Sequence, residues 1–296
     1  MAGNSRADAR RQAAKRSLLD QRGDVPPAGP ARQASARPTP LPLTCWPCGE
    51  GLRLLGDLLI CPQGHPVPET EDGVYDLWPP DREPPAVDTY GTPFGWAYDT
   101  GVNTRPLARL AARWEWGTDI RRMYRLMDEG LRIARGQVAL DVPVGGGTTF
   151  AEGAPELKGL LIGIDLSPVM LGRAARRREV NGLEGRIVLA RGDATRLPLA
   201  AAGVDRILCF NGLHVIPDKE AAMAEFRRVL KPGGELLGTV LVADARAPFS
   251  AIVALERLAS FFVPTTTGEL RSLATRFGFS RWEQEVEGAL LYFRGQ

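Results

Sequence analysis

The sequence has no apolar run of membrane-spanning length, and residues 1–25 contain no secretory apolar region. A membrane-spanning protein and an exported one are set aside, and a cytoplasmic location is expected. Cysteine is scarce, at four in 296 residues, and there are only two histidines. In a chain that is not exported, four cysteines point to reduced thiols or metal ligands rather than to disulfides. Strong charge of either sign is also missing. The formal net charge is +2, and it is unevenly placed. Residues 1–40 hold eight Lys or Arg against three Asp, leaving 29 Lys or Arg against 32 Asp or Glu in the rest. A slightly acidic body is not built to neutralise a long polyphosphate. What is present, 44% hydrophobic and 24% charged residues, is ordinary for a globular protein. The length suits one large domain with a small module.

Residues 1–40 are rich in Arg, Ala and Pro and poor in large apolar side chains. They cannot bury enough surface to offset their ordering entropy, so a disordered basic tail is expected, with a transient helix near Ala7–Asp20. Residues 41–80 form a Cys/Gly/Pro-rich module, and Pro79-Pro80 and Pro84-Pro85 stiffen the chain that leaves it. Residues 81–135 read as linker and covering helices. There Ile120, Met123, Tyr124, Met127 and Leu131 share one helical face, opposite Arg121, Arg122 and Arg125. Residues 136–296 alternate strands and helices, the pattern of a doubly wound α/β sheet. Ser167-Pro168 supplies an N-cap and a first-turn proline for a helix over Met170–Asn181. Asp218 caps another through Leu230, which Lys231-Pro-Gly-Gly234 stops before a strand over Glu235–Val242. A helix near Gly268–Phe277 precedes two short runs, Trp282–Val286 and Ala289–Phe293, expected as a hairpin at the sheet edge.

Three apolar runs end in an acid. Val138-Ala-Leu-Asp141 leads into Val-Pro-Val-Gly-Gly-Gly147, Leu160-Leu-Ile-Gly-Ile leads into Asp165, and Arg186-Ile-Val-Leu-Ala-Arg-Gly leads into Asp193. Glycines after a strand let a ligand approach the backbone and open toward a helix N-terminus that favours negative charge. A carboxylate ending the next strand accepts both hydroxyls of a ribose, and a third can accept from an adenine amino group, with Ala194 offering its backbone. A nicotinamide fingerprint needs Gly-x-Gly-x-x-Gly, whereas Gly145, Gly147 and Phe150 occupy those positions here.

Across residues 105–296 the chain resembles the class I S-adenosylmethionine-dependent methyltransferases. The resemblance rests on Asp141-Val-Pro-Val-Gly-Gly-Gly147, on Asp165 in Gly163-Ile-Asp-Leu-Ser-Pro168, on Gly192-Asp-Ala194 with Leu197-Pro198, and on Arg228-Val-Leu-Lys-Pro-Gly-Gly234. It implies a Rossmann-like, seven-stranded, mostly parallel sheet and S-adenosyl-L-methionine as the methyl donor. The cofactor-contacting residues it implies are Asp141, Gly145, Gly147, Asp165, Leu166, Asp193, Ala194 and Asn211. Pro143 departs from the family pattern, standing where a glycine is usual; proline fixes φ and removes a donor, so the donor's carboxylate is expected to be held differently.

Cys45-Trp-Pro-Cys48 and Cys61-Pro-Gln-Gly-His65 stand at C-x2-C-x12-C-x3-H spacing. Three thiolates and an imidazole make a closed tetrahedral zinc shell with a structural role, since thirty-odd residues need such a staple to fold. The module resembles the N-terminal zinc ribbon of bacterial large-subunit ribosomal RNA guanine methyltransferases, which implies an RNA contact. Against that role, residues 43–78 contain only Arg53 as a cation. The remaining cysteine, Cys209, is expected as a buried apolar thiol.

Phe210-Asn-Gly-Leu-His214 follows the fourth strand, the side on which class I folds transfer the methyl group. His214 is a candidate general base, and Asn211 a candidate for orienting the acceptor or the donor's amino group. Trp114, Trp116 and Tyr124, with Ile252, Leu255, Leu258, Phe261 and Phe262 in Ala251–Phe262, suggest an apolar roof suited to a quinone, lipid or natural-product-like molecule. A small, partly apolar substrate is therefore expected. A ribosomal or transfer RNA base is the second reading, and a cofactor-binding but inactive scaffold, motivated by Pro143, is the third. The sequence implies no oligomeric state.

Overall fold

A computed structural model describes residues 39–55, 58–83, 109–259 and 263–296. Residues 1–38, which hold the transient helix and most of the basic tail, and Pro84-Pro85 lie outside them. No helix among the described residues is long and apolar enough to cross a membrane.

Strands and helices alternate from Val138 onward. The strands are β5 (Val138–Asp141), β6 (Leu160–Asp165), β7 (Ile187–Arg191), β8 (Val204–Phe210) and β9 (Leu230–Leu241). All five run parallel, in the order β9-β8-β5-β6-β7. They are buried on both faces, with Leu140, Ile162, Ile164, Ile207 and Leu208 fully enclosed, which is why their sequences are unbroken apolar runs. The helix Pro168–Val180 starts as its sequence signals: Ser167 caps Met170 N, and proline stands at the first turn. Asp218 caps Lys219–Val229 through Ala221 N. Lys231-Pro-Gly-Gly234, expected to precede the strand, instead lies within β9, where its register with β8 shifts between Leu230 and Glu235, and it is tied down by an ion pair. Lys231 Nζ donates to Asp205 Oδ2 at 2.8 Å, and the same oxygen accepts from Val138 N at 2.9 Å. Asp205 thus joins the starts of β5, β8 and β9.

The closing hairpin, β10 (Glu283–Glu287) and β11 (Leu290–Gly295), adds antiparallel to β9. The helix Arg121–Gly130 packs on β8 and β9 through the predicted face: Ile120, Met123, Tyr124, Met127 and Leu131 are all buried.

The strand count differs from the expected seven. The sheet has eight strands, because the N-terminal module contributes one. Its β1 (Thr39–Thr44), β2 (Gly51–Leu55) and β3 (Leu58–Ile60) form a separate antiparallel sheet, but β4 (Val74–Asp76) pairs parallel with β7. Val74 and Tyr75 are buried against the main core, so a strand of only three residues gains a partner edge and apolar cover together. Arg178, on the helix Pro168–Val180, secures the docking by donating to Asp72 O at 2.8 Å and to Gly73 O at 3.2 Å.

Candidate functional site

The sheet reverses its winding at β5, with β6 on one side and β8 on the other. Ligands of open α/β sheets bind outside the carboxyl ends of the strands at such a switch point. The glycine loop leaves β5 there. It prolongs both strand pairings, since Val142 N donates to Leu208 O and Val144 N to Ile164 O, each at 2.9 Å. Gly145 and Gly147 then take φ of +52° and +80°, values that side-chain-bearing residues avoid. At Gly147 space is decisive as well. A Cβ there would stand 2.5 Å from Phe150 Cζ, and Phe150 is fully buried. The residue at the third-glycine position is therefore a core anchor packed beneath the loop. Arg177 donates to Gly146 O and fixes the loop's outer side. Pro143 is accommodated by a matching glycine: a Cβ on Gly212 would lie 2.2 Å from Pro143 Cδ.

The predicted carboxylates gather along this edge. Asp165, 6% exposed, accepts from Gly145 N at 2.7 Å through Oδ2 and from Ser167 N at 2.9 Å through Oδ1. Strand end and glycine loop are thus joined by one hydrogen bond. Asp141 is 1% exposed and accepts from Thr149 Oγ1 at 2.6 Å. Burial pushes its carboxyl up to about 7, and the charge of nearby Asp165 adds to the effect. Leu166 is exposed beside Asp165, whereas Ala194 packs partly against the core. Asp193 accepts from Thr195 N at 2.8 Å and from Thr195 Oγ1 at 2.7 Å, and its other oxygen accepts from Arg82.

Asn211 sits just past β8 with φ of +53°. Its N–H donates to Thr239 O at 2.9 Å, and Thr239 Oγ1 donates to its Oδ1 at 2.9 Å. The side-chain amide is therefore fixed in orientation at the same edge as the loop.

His214 does not suit the expected role of base. It is 2% exposed, and its Nδ1 accepts from Leu241 N at 3.3 Å. Burial, with Lys219 adding, holds its pKa down to about 3. An imidazole so placed is a weak proton acceptor that ties the segment after β8 to the end of β9. The aromatic roof is also reduced. Trp116 and Tyr124 belong to the core, while Trp114 and Leu255 are exposed at 75% and 66%. Phe261 and Phe262, and the side chain of Leu258, lie outside what is described.

Cys45, Cys48, Cys61 and His65 converge, their ligand atoms all within 4.8 Å of one another. Cys48 and Cys61 sulfurs are 3.6 Å apart, and His65 Nδ1 lies 3.6 Å from Cys61 Sγ and 3.8 Å from Cys45 Sγ. Tetrahedral bonds of about 2.3 Å to sulfur and about 2.0–2.1 Å to nitrogen require edges of about 3.5–3.8 Å. These three spacings match such edges, so the donor set suits a tetrahedral ion. Cys209 is fully buried in β8, as expected.

Two features escaped the sequence. One is the fusion of the module's β4 to the main sheet. The other is Arg82, which reaches Asp193 across 111 residues of chain. No spacing rule marks either, because both depend on docking one unit against another.

A family model described as "Methyltransferase domain" matches residues 139–234. The ubiquinone/menaquinone biosynthesis C-methyltransferase of Syntrophotalea carbinolica is 34% identical over 149 residues, 47% of this chain and 62% of that protein. The methyltransferase GfsG of Streptomyces halstedii is 35% identical over 115 residues, 39% of this chain and 41% of that one. The demethylmenaquinone methyltransferase of Thermus thermophilus is 35% identical over 125 residues, 41% of this chain and 54% of that one. The chain thus spans less than two thirds of these relatives. A chain from a complex containing the Haloferax volcanii Trm112 methyltransferase activator shares the fold, with a TM-score of 0.53 at 17% identity over 71% of this chain and 98% of that one. The switch point and the glycine loop after β5 fall inside residues 139–234, so the geometry described above lies in the stretch that is similar to methyltransferase domains.

Proposed function

We propose that this protein transfers a methyl group from S-adenosylmethionine to a small, partly apolar molecule, with a quinone-like ring as the leading acceptor class. The hydrogen bond from Gly145 N to Asp165 carries the cofactor half of this reading. It holds the loop and the ribose-side acid in one rigid unit at the switch point, where a nucleoside binds in such sheets. The names of the quinone-methylating relatives support the acceptor class.

The bound donor supplies an electrophilic methyl group on a sulfonium. The chain's own residues position and shield. Asp165 offers carboxylate oxygens at the ribose side, the backbone at Gly145 permits close approach, and Leu166 gives an apolar face. Buried Asp141 provides a carboxyl whose ionisation a cationic ligand would favour. Asn211, locked by Thr239, orients the polar groups it meets. Alignment of two reactants is the main contribution such a site makes to a displacement.

Zinc is the ion we propose for Cys45, Cys48, Cys61 and His65, in a structural role. Four protein ligands leave no position for water, and the ligand-atom spacings suit tetrahedral coordination. An RNA acceptor is disfavoured by the module itself, where Arg53 faces six acids across residues 43–78.

Incubation with methyl-labelled S-adenosylmethionine, a demethylated quinone, host lipid extract and ribosomal RNA tests the reading. Label in the quinone or lipid fraction is expected. Label only in RNA would replace the acceptor class. Calorimetric binding of S-adenosylhomocysteine with no labelled product in any fraction would leave a scaffold, and no binding at all would remove the cofactor reading.

A further inference from the structure

The N-terminal module ends directly on the segment that follows β7. Thr44 N donates to Pro198 O at 2.9 Å, and Ala200 N donates to Pro42 O at 2.7 Å. Arg196 donates to both oxygens of Asp81 at 2.5 and 2.6 Å, and its guanidinium lies 4.9 Å over the Trp46 ring. One more contact reaches the edge of the site itself. Arg82 Nη1 donates to Asp193 Oδ2, and at 2.8 Å to Thr195 Oγ1. The Thr195 hydroxyl in turn donates to Asp193 Oδ1, which closes a ring of three side chains.

An ionised carboxylate has about four acceptor positions. At Asp193 three are occupied, by Thr195 N, Thr195 Oγ1 and Arg82. The side chain remains 18% exposed. We propose that Arg82 is a positioning residue for base recognition. It keeps Asp193 turned so that the remaining acceptor position meets the amino group of a purine. This rests on the cofactor reading of the same edge. Thr195 constrains one oxygen only, and a carboxylate held on one side can still tilt about its side-chain torsions. Arg82 constrains the other. The segment that leaves the module is thereby part of the wall that selects the base.

The test compares two ligands that differ at one group: S-adenosylhomocysteine, and S-inosylhomocysteine, whose amino group is replaced by a carbonyl. A carboxylate accepts from the first and opposes the second, so the wild-type protein is expected to prefer the adenosyl ligand by about 30-fold or more. Arg82→Ala is expected to weaken adenosyl binding about three- to tenfold, with inosyl binding little changed, so the preference narrows. Arg82→Lys is expected to restore part of it. Asp81→Asn breaks the neighbouring pair without touching Asp193 and is expected to leave the preference intact. Because Arg82 and Asp81 are surface side chains, thermal melts should confirm folded variants. An unchanged preference in Arg82→Ala overturns the proposal. So does an equal narrowing in Asp81→Asn, which would assign the effect to docking in general. Failure of the wild-type protein to bind the adenosyl ligand overturns the cofactor reading, and this inference with it.

Discussion

Substituting Ala at Gly145 and, separately, at Gly147 distinguishes a glycine needed by a ligand from one needed by the fold. Both positions have positive φ, which costs a side-chain-bearing residue about 1–2 kcal/mol. At Gly145 that is the whole structural cost, since a Cβ there meets nothing within 4 Å. A fall in Tm of about 2–8 °C is expected. At Gly147 the new methyl lies 2.5 Å from Phe150 Cζ and 3.2 Å from Ala174 Cα. Phe150 is fully buried and cannot swing away. Overpacking adds about 1–3 kcal/mol, for a total of about 2–5 kcal/mol and a Tm lower by about 4–20 °C. Binding should reverse the order of importance. The open space at Gly145 is where we place ligand approach, so Gly145→Ala should weaken S-adenosylhomocysteine at least about 30-fold, or about 2 kcal/mol, while the protein stays folded. Calorimetry well below the variant's Tm, paired with a thermal melt, reads both quantities. A folded Gly145→Ala protein that binds within threefold of wild type would refute the assignment of this loop. A Gly147→Ala variant no less stable than Gly145→Ala would refute the packing account of Phe150.

Three further outcomes are expected. Asp141 has its pKa raised to about 7, so between the ordinary carboxylate range and that value the folded state retains a proton that the unfolded state has lost. This group's contribution to stability therefore falls as pH rises from about 4 to about 7. Denaturant midpoints at pH 5 and pH 7.5 should show that loss in the wild-type protein and a flatter profile in Asp141→Asn; an identical slope would discount Asp141. His214→Ala should lower stability by about 1–3 kcal/mol, because Leu241 N loses its buried acceptor, yet leave turnover per folded molecule within about twofold. A hundredfold loss with cofactor still bound would reinstate the base. Metal analysis should find one zinc per chain, absent from a Cys45→Ser/Cys61→Ser double variant, and chelation should lower the melting temperature; a metal-free preparation with unchanged melting would contradict the zinc reading.

Much of this molecule was legible without coordinates, because its signals are local. The caps at Ser167 and Asp218, the buried strands, the edge hairpin and the C-x2-C-x12-C-x3-H spacing each depend on residues near one another in the chain. The register of Asp141, Asp165 and Asp193 was readable for a related reason, since a parallel sheet brings the ends of successive strands to one edge. The setting of His214 was not legible, because sequence gives a residue's position along the chain but not its burial. Its role turns on full enclosure and on a bond to a strand 27 residues away. The covering face of Arg121–Gly130 was recovered from periodicity, but not which of its neighbouring aromatics stay outside the core.

By itself, the sequence determined the α/β alternation, the glycine loop with its acids, and the four candidate metal ligands. Only the tertiary structure decided that the small module lends the eighth strand, that Phe150 fills the place of a third glycine, that Gly212 makes room for Pro143, and that Arg82 reaches Asp193. Each of these depends on surfaces meeting across long stretches of chain, where shape and burial select the contact and no short-range pattern encodes it.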